Sequence, residues 1–182
     1  TSGKSSAIHF LRYLLEAAGS KVASLSTIDF YLAGKATLNN RKMTMLGRCQ
    51  TQRFLARAVR AGCHYAIIET TSEGVVQHRQ RFINYDVAVL TNLYPEHLEA
   101  HGGFANYKAA KLKFFAQVAG SRRKKGLPKT AVVNGDNQYA AEFIAQGKFD
   151  NVLIYGTEAK SDLVLSQITA GGQGLKFKLN DI

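Results

Sequence analysis

Gly3-Lys4-Ser5, inside Thr1-Ser2-Gly3-Lys4-Ser5-Ser6, is the triplet that closes a phosphate loop, the G-x-x-x-x-G-K-[ST] turn between a strand and a helix. Backbone amides at the start of the following helix favour an anion. In that arrangement Lys4 bridges terminal phosphates and the Ser5 hydroxyl ligates magnesium. The loop's first glycine and its strand would lie before Thr1. The triplet is short, and a plain helix cap made by Ser5 or Ser6 accounts for it as well. Three further residues carry chemistry: Glu69 closes the apolar run His64–Ile68, His97 follows the run Asp86–Thr91, and Lys111 lies on the helical stretch YKAAKLKFF. Each has an ordinary alternative, as an exposed acid at a strand end, a surface histidine and one lysine of a solvated helix face beside Lys108 and Lys113.

These residues need elements to hold them, and apolar periodicity supplies an alternation of strands and helices. Helices are expected at Ser5–Ala18, stopped by Gly19, at Gln50–Arg60, ended by Gly62, at Phe104–Val118 and at Gln138–Ala145. Strands are expected at Lys21–Ser26, His64–Thr70, Asp86–Thr91, Thr130–Asn134 and Asn151–Tyr155, with two short ones around Ala33-Gly34. The alternations Leu163, Leu165, Ile168 and Leu175, Phe177, Leu179, parted by Gly171, Gly172 and Gly174, read as a hairpin. Apolar strands alternating with helices imply an α/β fold with a mostly parallel sheet flanked by helices, a three-layer domain of the phosphate-loop type, with a small antiparallel hairpin near the C-terminus. Ligands in such sheets bind beyond the carboxyl ends of strands. Glu69, Thr91-Asn92 and Asn134 fall at such ends.

Length and composition fit one domain, since 182 residues can enclose a full core and 46% are hydrophobic against 20% charged. No apolar run approaches the roughly 20 residues of a membrane helix, and no signal peptide is seen. Twenty-four basic residues against 13 acids give a net charge of +11, which favours anionic partners. Five of those charges lie in SRRKKGLPK (Ser121–Lys129), which reads as a solvated loop or a nucleic-acid or lipid contact; it has no interleaved aromatics. Cys49 and Cys63 have neither metal spacing nor the numbers for a disulfide framework, so a reducing cytoplasm is expected. Thr1 is not an initiator methionine, which leads us to expect residues upstream.

Taken together, the motifs resemble the central ATP-binding domain of the Mur ligases, most closely the MurE type. The family loop G-T-x-G-K-T-[ST] compares with TSGKSS from Thr1, and E-[VT]-S-S-H-x-L-x-x-x-R with ETTSEGVVQHR over Glu69–Arg79. T-N-L-x-x-D-H-L-D-x-H-G compares with Thr91–Gly102, Y-x-x-A-K-x-x-[LF]-F with Tyr107–Phe115, and N-A-D-D with Asn134-Gly135-Asp136-Asn137. The first four motifs occur in order and at fitting spacing, the fifth matches loosely, and the resemblance covers the whole chain. The chain departs from the family at Glu73, where His is common, and at Glu96 and Glu99, where Asp is common. Met43-Thr44-Met45-Leu46 stands where a Thr-Thr-Pro is common.

The resemblance implies an ATP-dependent amide ligase. It would add the third amino acid to UDP-N-acetylmuramoyl-L-alanyl-D-glutamate through an acyl phosphate, in peptidoglycan synthesis. Thr1 to Ser6 and Asn92 would bind ATP. Ser5 and Glu69 would hold one magnesium ion, and His97, rather than His101, a second. Lys111 would be carbamylated by carbon dioxide, which needs a neutral amine and therefore a site that lowers its pKa; the product is an anionic group able to ligate the second magnesium. Thr44, Thr71, Gln77 and Arg79 would face the muramyl dipeptide, Arg79 as a fork for carboxylate or phosphate. The partners implied are that dipeptide and an amino acid, with neither nucleic acid nor membrane, for a monomeric cytoplasmic enzyme. In the family this domain lies between a UDP-binding and an amino-acid-binding domain, so residues 1–182 alone are expected to be inactive. A folylpolyglutamate synthase-like ligase, or a nucleotide-binding module without ligase chemistry, are the alternatives; the second has no use for Glu69, His97 and Lys111 together.

Overall fold

The computed structural model describes residues 3–41, 43–95, 102–158, 160–172 and 174–180. Thr1, Ser2, Glu96, His97, Glu99 and His101 lie outside the described residues. The chain divides into two compact units, Thr1–Ile83 with Pro95–Lys111, and Asn84–Tyr94 with Leu112–Ile182.

In the first unit, α1 (Lys4–Ala17) leads into β1 (Val22–Leu25), the hairpin β2 (Asp29–Leu32) and β3 (Lys35–Leu38), then α2 (Arg48–Arg60), β4 (Tyr65–Ile68) and α3 (Ser72–Val76). The four strands form one sheet in the order β3-β2-β1-β4. The hairpin turns at Ala33 and Gly34, both at positive φ (45° and 94°), the backbone that a two-residue turn between right-twisted strands demands. β1 is buried at all four residues, as a strand covered on both faces must be. Its Ala23 and Leu25 pack with Leu46 and with Phe54 and Ala58 of α2, while α1 also lies against β1 and β4. α2 begins two residues earlier than expected, and closes as expected, with Gly62 at φ 72° and Cys63 N donating to Ala58 O.

The pairing that matters for the site is β1 with β4. They run parallel with Val22 opposite Tyr65 and Leu25 opposite Ile68, and Glu69 N continues the ladder to Leu25 O at 2.9 Å. The residues just beyond the two strands, Ser26-Thr27 and Glu69-Thr70, are thereby neighbours, although more than 40 positions separate them in sequence.

The second unit holds β5 (Val87–Leu90), β6 (Thr130–Asn134), β7 (Asn151–Gly156), β8 (Leu163–Gly171) and β9 (Gly174–Leu179), paired in that order. β5 to β8 run parallel, and β8–β9 is the expected antiparallel hairpin. The helix α4 (Phe104–Gly120) contributes its residues up to Lys111 to the first unit and the rest to the second. There Phe115 meets Phe143 of α5 (Ala140–Ile144) edge to face at 4.9 Å. The α/β class with parallel strands, flanking helices and a C-terminal hairpin is thus present.

SRRKKGLPK turns out to be largely structural. Arg123 pairs with Asp150 (2.9 Å) and Lys124 with Asp86 (2.6 Å), and Lys129 is fully buried with its ammonium donating to Tyr85 O, 3.7 Å from Asp86. Three of its five charges are therefore engaged within the unit, which favours a structured loop over an anionic contact. No helix among the described residues is long and apolar enough to cross a membrane.

Candidate functional site

The start of α1 bears on the two readings of the Gly-Lys-Ser triplet. Gly3 is the N-cap, at φ 89°, and among the described residues no side chain caps the helix. Neither Ser5 nor Ser6 serves as the cap, and the first turn contains no acid, an arrangement that suits an anion at the helix start. The Ser5 hydroxyl donates instead to Glu69 Oε2 at 2.8 Å. Glu69 is 4% exposed, so its carboxylate needs partners, and it finds them at the start of α1 and just past the end of β1. Besides Ser5, Oε2 accepts from Thr27 N (2.9 Å) and Thr27 Oγ1 (3.1 Å), and Oε1 faces Lys4 Nζ at 3.9 Å. Burial lowers the Lys4 pKa, and the Glu69 charge partly restores it.

Lys111 belongs to the same unit. Burial pushes its amine down to about 8, and the charge on Lys4 adds to that push. One turn earlier lies the buried ring of Tyr107, its centroid 5.1 Å from the Lys111 nitrogen. The structure thus supplies the depressed amine that carbamylation requires. Below about pH 8 both the folded and unfolded states carry the proton, and the cost of burying the charge is fully present. Between about 8 and 10.5 the folded state releases it first, so stability rises with pH. In bicarbonate-free buffer Lys111→Met is expected to stabilise the protein by up to about 3 kcal/mol at pH 7. That gain should fade toward pH 10.5 in paired melting curves.

The substrate-side residues gather around α3. Thr71 caps that helix by accepting from Gly74 N at 3.1 Å. Gln77 donates to Glu73 Oε1 at 3.1 Å, so Glu73, one of the departures from the family pattern, holds the glutamine on the exposed side. Arg79 Nη1 donates to Met45 O at 2.7 Å and lies 3.5 Å from Met43 Sδ, which fastens the loop carrying Thr44. Met45, another departure, is 2% exposed and fills the space over Gly74, where an added Cβ would come within 2.2 Å of its sulfur. Gly74→Ala is expected to destabilise by about 1–3 kcal/mol through overpacking and to shift the Thr44 loop, measurable by denaturant unfolding.

Thr27 was not singled out by any motif, yet its hydroxyl reaches both Glu69 and Thr44 Oγ1 (2.9 Å). The signal available for it was its place just past an apolar strand. Asn92 lies in the second unit, in a loop held by Asn134 Nδ2 on Thr91 O (2.9 Å) and Asn137 Nδ2 on Leu93 O (3.1 Å). Lys4, Ser5, Glu69 and Lys111 therefore share one unit with Thr44, Thr71, Gln77 and Arg79, and Asn92 stands in the other.

Ser5 and Glu69 suit magnesium, which takes hard oxygens and keeps much of its octahedral shell for phosphate and water. Among the described residues no group of three or more His, Cys, Asp or Glu comes together, the arrangement a dedicated zinc site would use.

Fold and site define an α/β domain whose polar residues collect beyond the carboxyl ends of parallel strands, beside an uncapped helix start. The chain belongs to the Mur ligase family, with the Mur ligase middle domain matching residues 1–182. UDP-N-acetylmuramoyl-L-alanyl-D-glutamate–2,6-diaminopimelate ligase of Chlamydia abortus is 32% identical over 98% of this chain and 35% of its own length. UDP-N-acetylmuramyl-tripeptide synthetase of Treponema denticola is 30% identical over 100% of this chain and 36% of its own. A solved UDP-N-acetylmuramoyl-L-alanyl-D-glutamate–2,6-diaminopimelate ligase superposes with a TM-score of 0.75 at 25% identity, over 94% of this chain and 34% of that one. MurF from Acinetobacter baumannii, at 18% identity and a TM-score of 0.67, shares the fold. The chain spans 35–36% of the length of these curated relatives.

Proposed function

We propose that this domain binds ATP and magnesium in a cytoplasmic, monomeric ligase of the MurE type, which joins an amino acid to UDP-N-acetylmuramoyl-L-alanyl-D-glutamate in peptidoglycan synthesis. The observation that carries the reading is the Ser5–Glu69 contact of 2.8 Å at the uncapped start of α1. The names and identities of the relatives support it from a second direction.

In this reading a carboxylate oxygen of the dipeptide attacks the γ-phosphorus of ATP, the bond to ADP breaks, and an acyl phosphate forms. The amine of the amino acid then attacks the acyl carbon, phosphate leaves with its bonding electrons, and the nitrogen gives up a proton. Both first reactants are anions, so the site must concentrate positive charge between them. Lys4 meets the terminal phosphates, and the positive end of the α1 dipole favours the same oxygens. Ser5 and Glu69 would hold one magnesium, and His97 and a carbamylated Lys111 would hold the second. Magnesium supplies neutralisation of the charge that develops on the transferred phosphoryl group. Thr44, Thr71, Gln77 and Arg79 orient the dipeptide, and Thr1 to Ser6 bind the nucleotide.

The test is phosphate release by the full-length parent protein given ATP, magnesium, UDP-N-acetylmuramoyl-L-alanyl-D-glutamate and a panel of amino acids. Release that depends on both the dipeptide and one amino acid is the expected result. Turnover with a folate or another acidic acceptor in its place would move the protein to a sister ligase.

A further inference from the structure

The Thr27 side chain hydrogen-bonds both the buried acid and Thr44. Glu69 Oε2 already has three donors, Ser5 Oγ at 2.8 Å, Thr27 N at 2.9 Å and Thr27 Oγ1 at 3.1 Å, whereas Oε1 is turned toward Lys4. The second contact of the Thr27 hydroxyl is Thr44 Oγ1 at 2.9 Å. A threonine hydroxyl owns one proton and can give it to Glu69 or to Thr44, not to both. With Thr44 donating to Thr27, the Thr27 proton serves Glu69. A ligand group that takes the Thr44 proton removes that donor and frees the Thr27 proton to turn away from Glu69.

We infer that Thr27 is a positioning residue whose hydroxyl holds Glu69 so that Oε1 is presented to a magnesium-bound nucleotide, and whose contact with Thr44 couples that acid to the substrate-side loop. The inference rests on the proposed magnesium role of Ser5 and Glu69. Thr27 is itself exposed, so its replacement creates no cavity in the core. Its backbone N–H stays in every variant, so a substitution reports on the hydroxyl alone. Coupling of this kind is reciprocal, so dipeptide bound at Thr44 must alter ATP affinity as much as ATP alters dipeptide affinity.

The experiment is calorimetric ATP binding to the full-length parent protein, with magnesium and in EDTA, for wild type, Thr27→Val, Thr27→Ala and Thr27→Ser. Thr27→Val and Thr27→Ala are expected to lose about tenfold in magnesium-dependent affinity, the scale of one hydrogen bond to a charged group. Binding in EDTA should be unchanged, and Thr27→Ser should stay within about twofold of wild type, because it keeps the donor. Adding UDP-N-acetylmuramoyl-L-alanyl-D-glutamate should shift ATP affinity in wild type and Thr27→Ser and leave it fixed in the other two. A general structural defect would lower binding in EDTA as well, and that result would overturn the positioning role. So would a magnesium effect that survives in Thr27→Val and Thr27→Ala, or one lost equally in Thr27→Ser. Equal wild-type affinity with and without magnesium would instead overturn the magnesium reading, and the Thr27 role with it.

Discussion

Glu69→Gln in the full-length protein is expected to cut kcat by about 10²–10³-fold while leaving the domain folded. The amide can place its oxygen where Oε2 now accepts from Ser5 Oγ and from Thr27 N and Oγ1. Its NH₂ then occupies the position of Oε1, which faces Lys4 at 3.9 Å, and an amide nitrogen neither ligates magnesium nor balances an ammonium. The change is nearly isosteric, so the fold should lose only about 1 kcal/mol from weakened hydrogen bonds. Steady-state phosphate release should fall with little change in melting temperature, and extra magnesium should recover part of the loss. A variant with wild-type kcat would remove Glu69 from the chemistry and leave it as a structural acid tying β4 to β1.

The place of Glu69 was legible because its context is local: an apolar run that ends in an acid reads as a strand with the acid at its carboxyl end, while the burial of that acid was not, since an exposed acid fits the same run. Lys4 and Ser5 were legible as the opening of a helix for the same reason, and the structure adds that Gly3 is its N-cap. Thr27 was not, because it matters only through the parallel register of Leu25 with Ile68, a pairing that no local pattern encodes. The same holds for Lys129, which reads as one charge in a basic run until Tyr85 and Asp86 are brought to it from more than 40 residues away. α3 escaped notice since a single turn has no period to detect, although Thr71 followed by Gly74 marked its cap. Met45 and Glu73 looked like losses against the family pattern. In the fold Met45 packs over Gly74 and Glu73 holds Gln77, so each has local work that motif comparison does not register.

Lys111→Ala is expected to reduce turnover by about 10³-fold, and small carboxylates such as formate or acetate should restore part of it. At a pKa of about 8, about a tenth of Lys111 is neutral at pH 7, against about 0.03% for an ordinary lysine, so the amine is available to carbon dioxide some 300-fold more often. Burial is the first cause of that shift and the Lys4 charge the second. The product would replace a cation that repels Lys4 with an anion that attracts it, so carbamylation relieves the repulsion that prepared it. Wild-type activity should therefore fall on exhaustive removal of bicarbonate and return when it is added back, while Lys111→Ala ignores bicarbonate and responds to formate. Lys4→Ala removes one cause of the depressed pKa, and so should raise the bicarbonate concentration needed for half-maximal carbamylation, read by ¹³C NMR independently of turnover. Full activity in bicarbonate-free buffer, or Lys111→Arg performing like wild type, would show that a positive charge at this position is what the site uses.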